Sequence, residues 1–438
     1  MMRDPAQEAR EFLEGHGMHP AAIDLKAGVA DFLREMEEGL NGRRGGLEMI
    51  PTYLQAAGEL PLNRPVIAVD AGGTNVRVAL VSFDEQQRPA ISGFQRFAMP
   101  GVEREVSRLE FFHTMAGYLE QVASRSARIG FCFSYSMDQL PTRDARVRRF
   151  GKEIKAPELI GELLGAGLLQ ALRERGHEGE RRVVVLNDTV ATMLAGRAGS
   201  ADRNYSSYIG FILGTGFNTC YSELNRNIGK LSEPRVDGAQ VINMESGNYS
   251  RAPLGDMDRD LAGETRFPKE ALLEKMISGA YLGSVVLYAL RRAAGEGLLS
   301  SAVGERLRAL PALSTDALHA FLLRPAGTDH PLGAIAARAG GGERALLYCL
   351  SDLIVERAAK LTALVLSATL LKTGAGGDPC APVCVVAEGS VFWGLHSIKR
   401  KVEYYLKGYL EEQERRHFDI IRVENASLVG AAIAGLTN

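Results

Sequence analysis

The chain has 438 residues, room for two large α/β domains or roughly three of average size. Hydrophobic residues at 46% and charged residues at 24% exclude wholesale disorder, and 51 Lys and Arg against 53 Asp and Glu leave a net charge of −2, too little to hold nucleic acid or an anionic membrane. Five scattered cysteines (Cys132, Cys220, Cys349, Cys380 and Cys384) make no disulfide framework and suit a reducing cytoplasm.

The N-terminus carries acids and arginines where a signal peptide needs an apolar core, so no export signal is expected. Phe12, Ile23, Val29, Phe32, Leu33, Met36 and Leu40 fall at helical intervals, with Asp24 or Asp31 near a helix start. Residues 66–69 and 76–83 read as a hairpin around AspAlaGlyGlyThrAsn. A strand at 91–97, a helix near 109–123 and a strand at 128–135 continue an α/β alternation. A basic stretch at 143–155 precedes a helix near 157–173, a strand at 183–186 and a helix opening at Asp188. A second strand, glycine turn, strand unit follows at 208–213 and 218–223, which suggests two related halves facing a cleft. Past a helix at 281–292, residues 312–342 give the weakest pattern. A long amphipathic helix is expected from 343 to about 371; its apolar run, 361–371, is about half the roughly 20 residues a bilayer needs. A strand at 383–387, a helix near 397–414, a strand at 419–423 and a small-residue helix at 427–436 complete the chain.

Residues 69–77 combine an acid after a strand with two glycines, a hydroxyl, an amide and an arginine. Gly72 and Gly73 can offer backbone N–H groups to an anion, Thr74 a hydroxyl, Asn75 an amide and Arg77 a fork of donors, while Asp70 would hold Mg²⁺ through water. The two glycines alone would favour a tight hairpin turn, and the whole string reverses that preference in favour of a polyphosphate with a metal ion. Gly214, Thr215 and Gly216 form a second such loop. Asn187 and Asp188 stand where a strand ends and a helix begins, as a cap or as groups aimed into a cleft. No GxxxxGK[ST], HExxH or paired CxxC string occurs; Cys380 and Cys384 flank a strand start, and His16 and His19 are expected in an exposed turn.

Together these strings resemble the hexokinase and glucokinase family of the sugar-kinase, actin and heat-shock ATPase superfamily. The resemblance runs from residue 46 almost to the C-terminus and is weak between 295 and 342. It includes PheSerTyr (133–135), IleAsnMetGluSerGlyAsn (242–248), GluLysMetIleSerGlyAlaTyrLeuGly (274–283), GlySerValPhe (389–392) and LeuHis (395–396). It implies an α/β fold of two actin-like, ribonuclease H-like domains whose mixed five-stranded sheets flank a sugar and nucleotide cleft. The small domain would span 65–187 plus the C-terminal helix 427–438, the large domain 188–426, and a helical segment, 1–64, would pack on the large domain. The implied activity is transfer of the γ-phosphoryl group of Mg-ATP to a hexose, with the 6-hydroxyl of glucose as the expected acceptor.

By motif position the resemblance makes Asp188 the general base, aided by Lys152 and Arg77. Ser134, Lys152, Asn187, Asp188, Asn218, Glu245 and Glu274 would hold the sugar; taken singly, Glu245 and Glu274 would read as solvated acids. The donor would rest on Asp70, Gly72, Gly73, Thr74, Asn75, Arg77, Gly214, Thr215, Gly216, Gly389, Ser390 and Ser427. The chain departs from the family at Gly151 (threonine), Ser246 (tryptophan) and Ser136 (proline), which predicts a remodelled sugar pocket. It has AlaSerLeuValGly at 426–430 for GlySerGlyLysGly, so Leu428 and Val429 are expected to loosen purine selectivity and bring GTP or ITP within about tenfold of ATP. Two rival readings are a catalytically weak hexose-binding sensor and an actin-like ATPase; the second leaves Asn218, Glu245 and Glu274 without a reason to occur together.

Overall fold

The computed structural model describes residues 4–43, 45–56, 58–150, 154–199, 203–231 and 237–438. Asp4 and Asp24 accept backbone N–H groups at the starts of α1 (Pro5–Gly15) and α2 (Leu25–Leu40), capping both helices. A two-residue strand, β1 (Ile50–Pro51), follows.

The small lobe is built on five strands: β2 (Val66–Gly72), β3 (Asn75–Phe83), β4 (Pro89–Ala98), β5 (Arg128–Phe133) and, beyond the hairpin β6 (Ser136–Gln139) and β7 (Ala145–Arg149), β8 (Arg182–Leu186). Their order is β4-β3-β2-β5-β8, with β2, β5 and β8 parallel and β3 and β4 added as an antiparallel meander. Helices α3 (Arg108–Tyr118) and α4 (Leu164–Glu174) cover one face. Because the other face is covered as well, β2 is buried from Val66 to Ala71, which is why its sequence runs apolar instead of alternating.

In the large lobe α5 (Asp188–Gly199) leads to the meander β9 (Ser207–Leu213), β10 (Phe217–Leu224) and β11 (Ala239–Asn243). Helices α6 (Asp256–Glu264), α7 (Leu272–Ile277) and α8 (Leu282–Gly295) follow. After α9 (Ser301–Ala309), the region of weakest sequence pattern, 312–342, folds as α10 (Thr315–Leu323) and α11 (Pro331–Ala336), and all three helices are too short to establish a helical period. Helix α12 (Gly341–Thr373) is buried on every side from Leu361 to Leu370 instead of being amphipathic there, because α1, α2, α8 and α14 (Ile398–Leu406) surround it. Strand β12 (Val383–Glu388), the short helix α13 (Ser390–Gly394), β13 (Phe418–Ile421) and α15 (Ala426–Thr437) complete the chain.

The second sheet has the order β1-β11-β10-β9-β12-β13, with β9, β12 and β13 parallel. Setting aside β1, which adds a sixth strand at one edge, both sheets consist of a three-strand meander and two further parallel strands. The halves expected from the repeated hairpin are thus related in topology. Helices α5 and α15 lie against each other between the two sheets and share a third hydrophobic core with both. Their approach is backbone-close: a Cβ on Gly430 would fall 1.8 Å from the Ala191 carbonyl oxygen. No helix among the described residues is long and apolar enough to cross a membrane. His16 and His19 are not in an exposed turn: His19 is buried, and His16 lies 2.7 Å from Asp256 and 3.1 Å from Glu296, tying α1 to the large lobe.

Candidate active site

Open α/β sheets bind ligands beyond the C-terminal ends of their parallel strands. In the small lobe those ends carry Asp70 and Gly72 on β2, Ser134 just past β5, and Asn187 and Asp188 just past β8. In the large lobe they carry Gly214 past β9, Glu388 and Gly389 at the end of β12, and Arg422 past β13.

Asp188 opens α5, where its Oδ1 accepts the Thr189 N–H at 2.8 Å; Asn187 Oδ1 accepts the same N–H at 2.9 Å. The capping role and the cleft-facing role therefore coexist. Burial pushes the Asp188 carboxyl above its ordinary range, partly offset by hydrogen bonding from Ser134 and Thr189. Its charge is felt by Asp70 and by Glu245, so these three carboxylates converge from both lobes. Glu245 sits at φ 55°, a left-handed conformation uncommon outside glycine. Asn218 Nδ2 donates to Asn243 Oδ1 at 2.7 Å, Asn243 Nδ2 donates to Glu245 Oε1 at 2.9 Å, and the Ser246 N–H donates to Asn218 Oδ1 at 3.2 Å. Burial, reinforced by Glu48, Asp188 and Glu274, pushes the Glu245 carboxyl up to about 7. Glu274 accepts the Phe217 N–H at 3.0 Å, and burial raises it too. Buried carboxylates cost free energy unless hydrogen-bonded, and the hydroxyls of a polyol are suitable donors. Ser246, where the family has tryptophan, is fully buried and its hydroxyl lacks a hydrogen-bond partner among the described residues. Lys152 and Gly151 lie outside the described residues.

At the donor end, Gly72 pairs with Asn75 across a two-residue turn in which Gly73 has φ 56°. The loop is thus a hairpin turn and also an accessible backbone: Gly73 and Thr74 are exposed, while the Asn75 side chain accepts a hydrogen bond from Arg96 at 2.9 Å. Arg77 Nη1 lies 3.4 Å from Asp70 Oδ2. Burial raises the Asp70 carboxyl to about 6 despite that arginine. Among the described residues no cluster of three or more His, Cys, Asp or Glu could hold a metal ion. A single under-compensated carboxylate beside an accessible glycine turn nonetheless fits Mg²⁺, which keeps its waters and takes most of its remaining ligands from substrate phosphates. Gly214 abuts Gly389 across the hairpin, with Thr215 and Ser390 exposed beside them. Arg77, Glu388, Arg422, Asn425 and Ser427 line a cavity of about 600 Å³.

Leu428 and Val429 do not reach that cavity. They are 1% and 0% exposed within the core shared by α5 and α15, so the expected loosening of purine selectivity loses its basis. Only Ser427 of that segment faces outward, since successive helical residues point about 100° apart.

Other contributors escaped the sequence reading. Asn243 links Asn218 to Glu245, and its place two residues before Glu245, on one face of a strand end, is the signal that could have found it. Cys132 stands opposite Asp70 in the strand register and is fully buried beneath it. Arg148 and Arg149 of β7 reach Glu48 at 2.5 Å and Glu270 at 3.1 Å, joining the β6–β7 hairpin to the large lobe. A cavity of about 810 Å³ lined by Gln55, Gln87, Arg197 and Tyr205 lies at the ends of β3, α5 and β9 opposite to those that carry the site.

A family model described as hexokinase matches residues 208–437, and a second, also described as hexokinase, matches residues 11–198. Hexokinase-2 of Candida albicans is 28% identical over 455 aligned positions, covering 95% of this chain and 90% of that one. Hexokinase-7 of Oryza sativa subsp. japonica is 27% identical, covering 94% and 93%. Among solved structures, a hexokinase from Schistosoma mansoni complexed with glucose superposes with a TM-score of 0.75 at 22% identity, over 99% of this chain and 100% of that one. With two hexokinase models spanning most of its length, the chain belongs to the hexokinase family and is an ATP-dependent hexose phosphotransferase.

Proposed function

We propose that this chain transfers the γ-phosphoryl group of Mg-ATP to the 6-hydroxyl of glucose, in a cleft that closes between the two lobes. The observation that carries this reading is the convergence of Asp188 from the small-lobe side with Glu245 and Glu274 from the large lobe, all half-buried and all with carboxyl pKa values raised by desolvation. Asn187, Asn218, Glu245 and Glu274 orient the sugar through its hydroxyls, with Ser134 supporting Asp188. Asp188 accepts the proton of the attacking hydroxyl as the new O–P bond forms and the bond to ADP breaks. Its raised pKa brings it closer to the range in which a carboxylate is an effective base. Arg77, the backbone of Gly72 and Gly73, and the Gly214–Gly216 loop hold the phosphate chain, with Gly389, Ser390 and Ser427 towards the nucleoside. Mg²⁺, when bound near Asp70, neutralises charge on the phosphates. Drawing the lobes together excludes water that would otherwise accept the phosphoryl group.

A coupled assay for sugar phosphate across glucose, mannose, fructose and glucosamine with ATP tests this reading. Glucose should give the highest kcat/KM. A clear preference for another hexose would reassign the acceptor, and turnover of ATP without any sugar would remove the kinase reading.

A further inference from the structure

The donor-end cavity contains charges that the glycine loops leave unexplained. Strands β12 and β13 run parallel with Val386 opposite Ile421, so Glu388 and Arg422 leave the same C-terminal edge one register position apart, and both line this cavity. Arg77 enters the same cavity from β3 of the small lobe, and Asn425 and Ser427 close it at the start of α15. Two arginines from two lobes thus flank one half-buried carboxylate: both hold down the proton affinity of Glu388, while its burial raises it. With Glu424 also on the wall, the formal charges of the cavity balance before any donor arrives.

Trp393 orients the second arginine. Its Nε1 donates to the Ala387 carbonyl at 2.9 Å, fixing the indole beside the end of β12, and the Arg422 guanidinium lies 5.7 Å from the ring centroid. Lys399 Nζ approaches the same ring at 5.4 Å. A guanidinium over an aromatic face directs its N–H donors outward in its own plane, the arrangement suited to a phosphate. The cavity spans from Arg77, next to Asp70 where the transferred group would sit, to Ser427 at the nucleoside end. A nucleoside polyphosphate laid between those two ends would bring its second phosphate to the stretch of wall that includes Arg422.

We propose that Arg422 binds the β-phosphate of the donor, across the cleft from Arg77, with Trp393 as its positioning residue. The proposal rests on the ATP-donor reading above and deepens it, because it makes donor affinity depend on both lobes. Trp393 is the single tryptophan of the chain, so intrinsic fluorescence reports directly on this site.

The test is titration of AMP, ADP and ATP, without sugar, into wild-type, Arg422→Ala and Arg422→Lys protein, followed calorimetrically and by tryptophan emission. Arg422→Ala should weaken ADP and ATP by about tenfold to a hundredfold and AMP by less than about threefold. Arg422→Lys should recover only part of the loss, since an ammonium cannot make the forked contact. The wild-type emission change on ADP binding should be lost in Arg422→Ala even at saturating nucleotide. ADP affinity within twofold of wild type in Arg422→Ala, or equal losses for AMP and ADP, would overturn the assignment. A wild-type protein that binds none of the three nucleotides would overturn the donor reading itself, and the proposal with it.

Discussion

In each sheet the last parallel strand feeds a helix of small residues: β8 runs into α5 and β13 into α15, and the two helices pack on each other between the sheets. Helix α5 opens on a carboxylate, Asp188, whereas α15 opens behind Asn425 with no charged residue in its first turn. A helix N-terminus favours negative charge and offers unsatisfied N–H groups. At α5 the protein supplies that charge itself, on the half-buried carboxylate of Asp188. At α15 the place is left neutral, as an incoming anionic donor requires. Under the proposed function, one architectural unit used twice would serve acceptor chemistry on one side and donor binding on the other, with the first-turn side chain making the difference.

The comparison breaks most severely at Asp188. Asp188→Asn keeps the shape and the cap but removes the proton acceptor, so kcat should fall by about 10²- to 10⁴-fold. Hexose affinity, measured by calorimetry, should stay within about tenfold of wild type. A variant keeping more than half of wild-type kcat would take Asp188 out of the base role.

Next in size is the packing between the two helices. Leu428→Ala should cost about 2 to 5 kcal/mol of stability, read from denaturant unfolding, because the side chain fills the shared core. The ratio of kcat/KM for ATP to that for GTP should be unchanged. A shifted ratio with intact stability would return Leu428 to the nucleotide pocket.

How far the site was legible follows from the same two helices. Asn187, Asp188 and the loop at 70–77 could be read locally, because a strand running into glycines or into a helix start limits where those side chains point. Glu245 and Glu274 became readable only through their surrounding strings: an acid in a sequence says nothing of its burial, and the left-handed turn at Glu245 is invisible before folding. At 426–430 the sequence marked the right segment but not its face, so Leu428 and Val429 were assigned to the ligand when they belong to the core. Glu388 and Arg422 were ordinary charged residues until parallel pairing of β12 with β13 placed them together. That the chain holds two related halves was legible from the repeated glycine hairpin, whereas the mixed sheets were expected only through the family resemblance. The short helices α9 to α11 were not legible, because no single one of them carries enough turns to show a period.

A smaller effect separates the acceptor side through pH. Glu245 titrates near 7 in the fold against an ordinary carboxyl near 4.3, a raised value. Its contribution to stability is therefore complete below about pH 4 and is lost as pH rises through 7. Asp70, raised to about 6, acts in the same direction. The free protein should lose thermal stability between about pH 5 and 8, and Glu245→Gln should flatten part of that slope. Hexose hydroxyls donate to the ionised carboxylate, so hexose affinity should rise over the same interval. A wild-type Tm that rises towards pH 8 without ligand would contradict the assignment.

The smallest effect belongs to the ion pairs that join the β6–β7 hairpin to the large lobe. Arg148 with Glu48 and Arg149 with Glu270 are part-exposed, so each is worth about 0.2 to 1 kcal/mol and is screened by salt. Arg148→Ala and Arg149→Ala together should raise the hexose KM by up to about tenfold and make it insensitive to added salt. An unchanged KM and an unchanged salt dependence would show that these pairs play no part in holding the cleft closed.

The most direct measurement is phosphorus NMR of a reaction containing the wild-type protein, glucose, ATP and Mg²⁺, run beside one lacking glucose. The account predicts one equivalent of a hexose 6-phosphate for each ADP formed, and no appreciable ADP without the sugar. ADP and inorganic phosphate appearing at the same rate in both tubes, with no sugar phosphate in either, would contradict it.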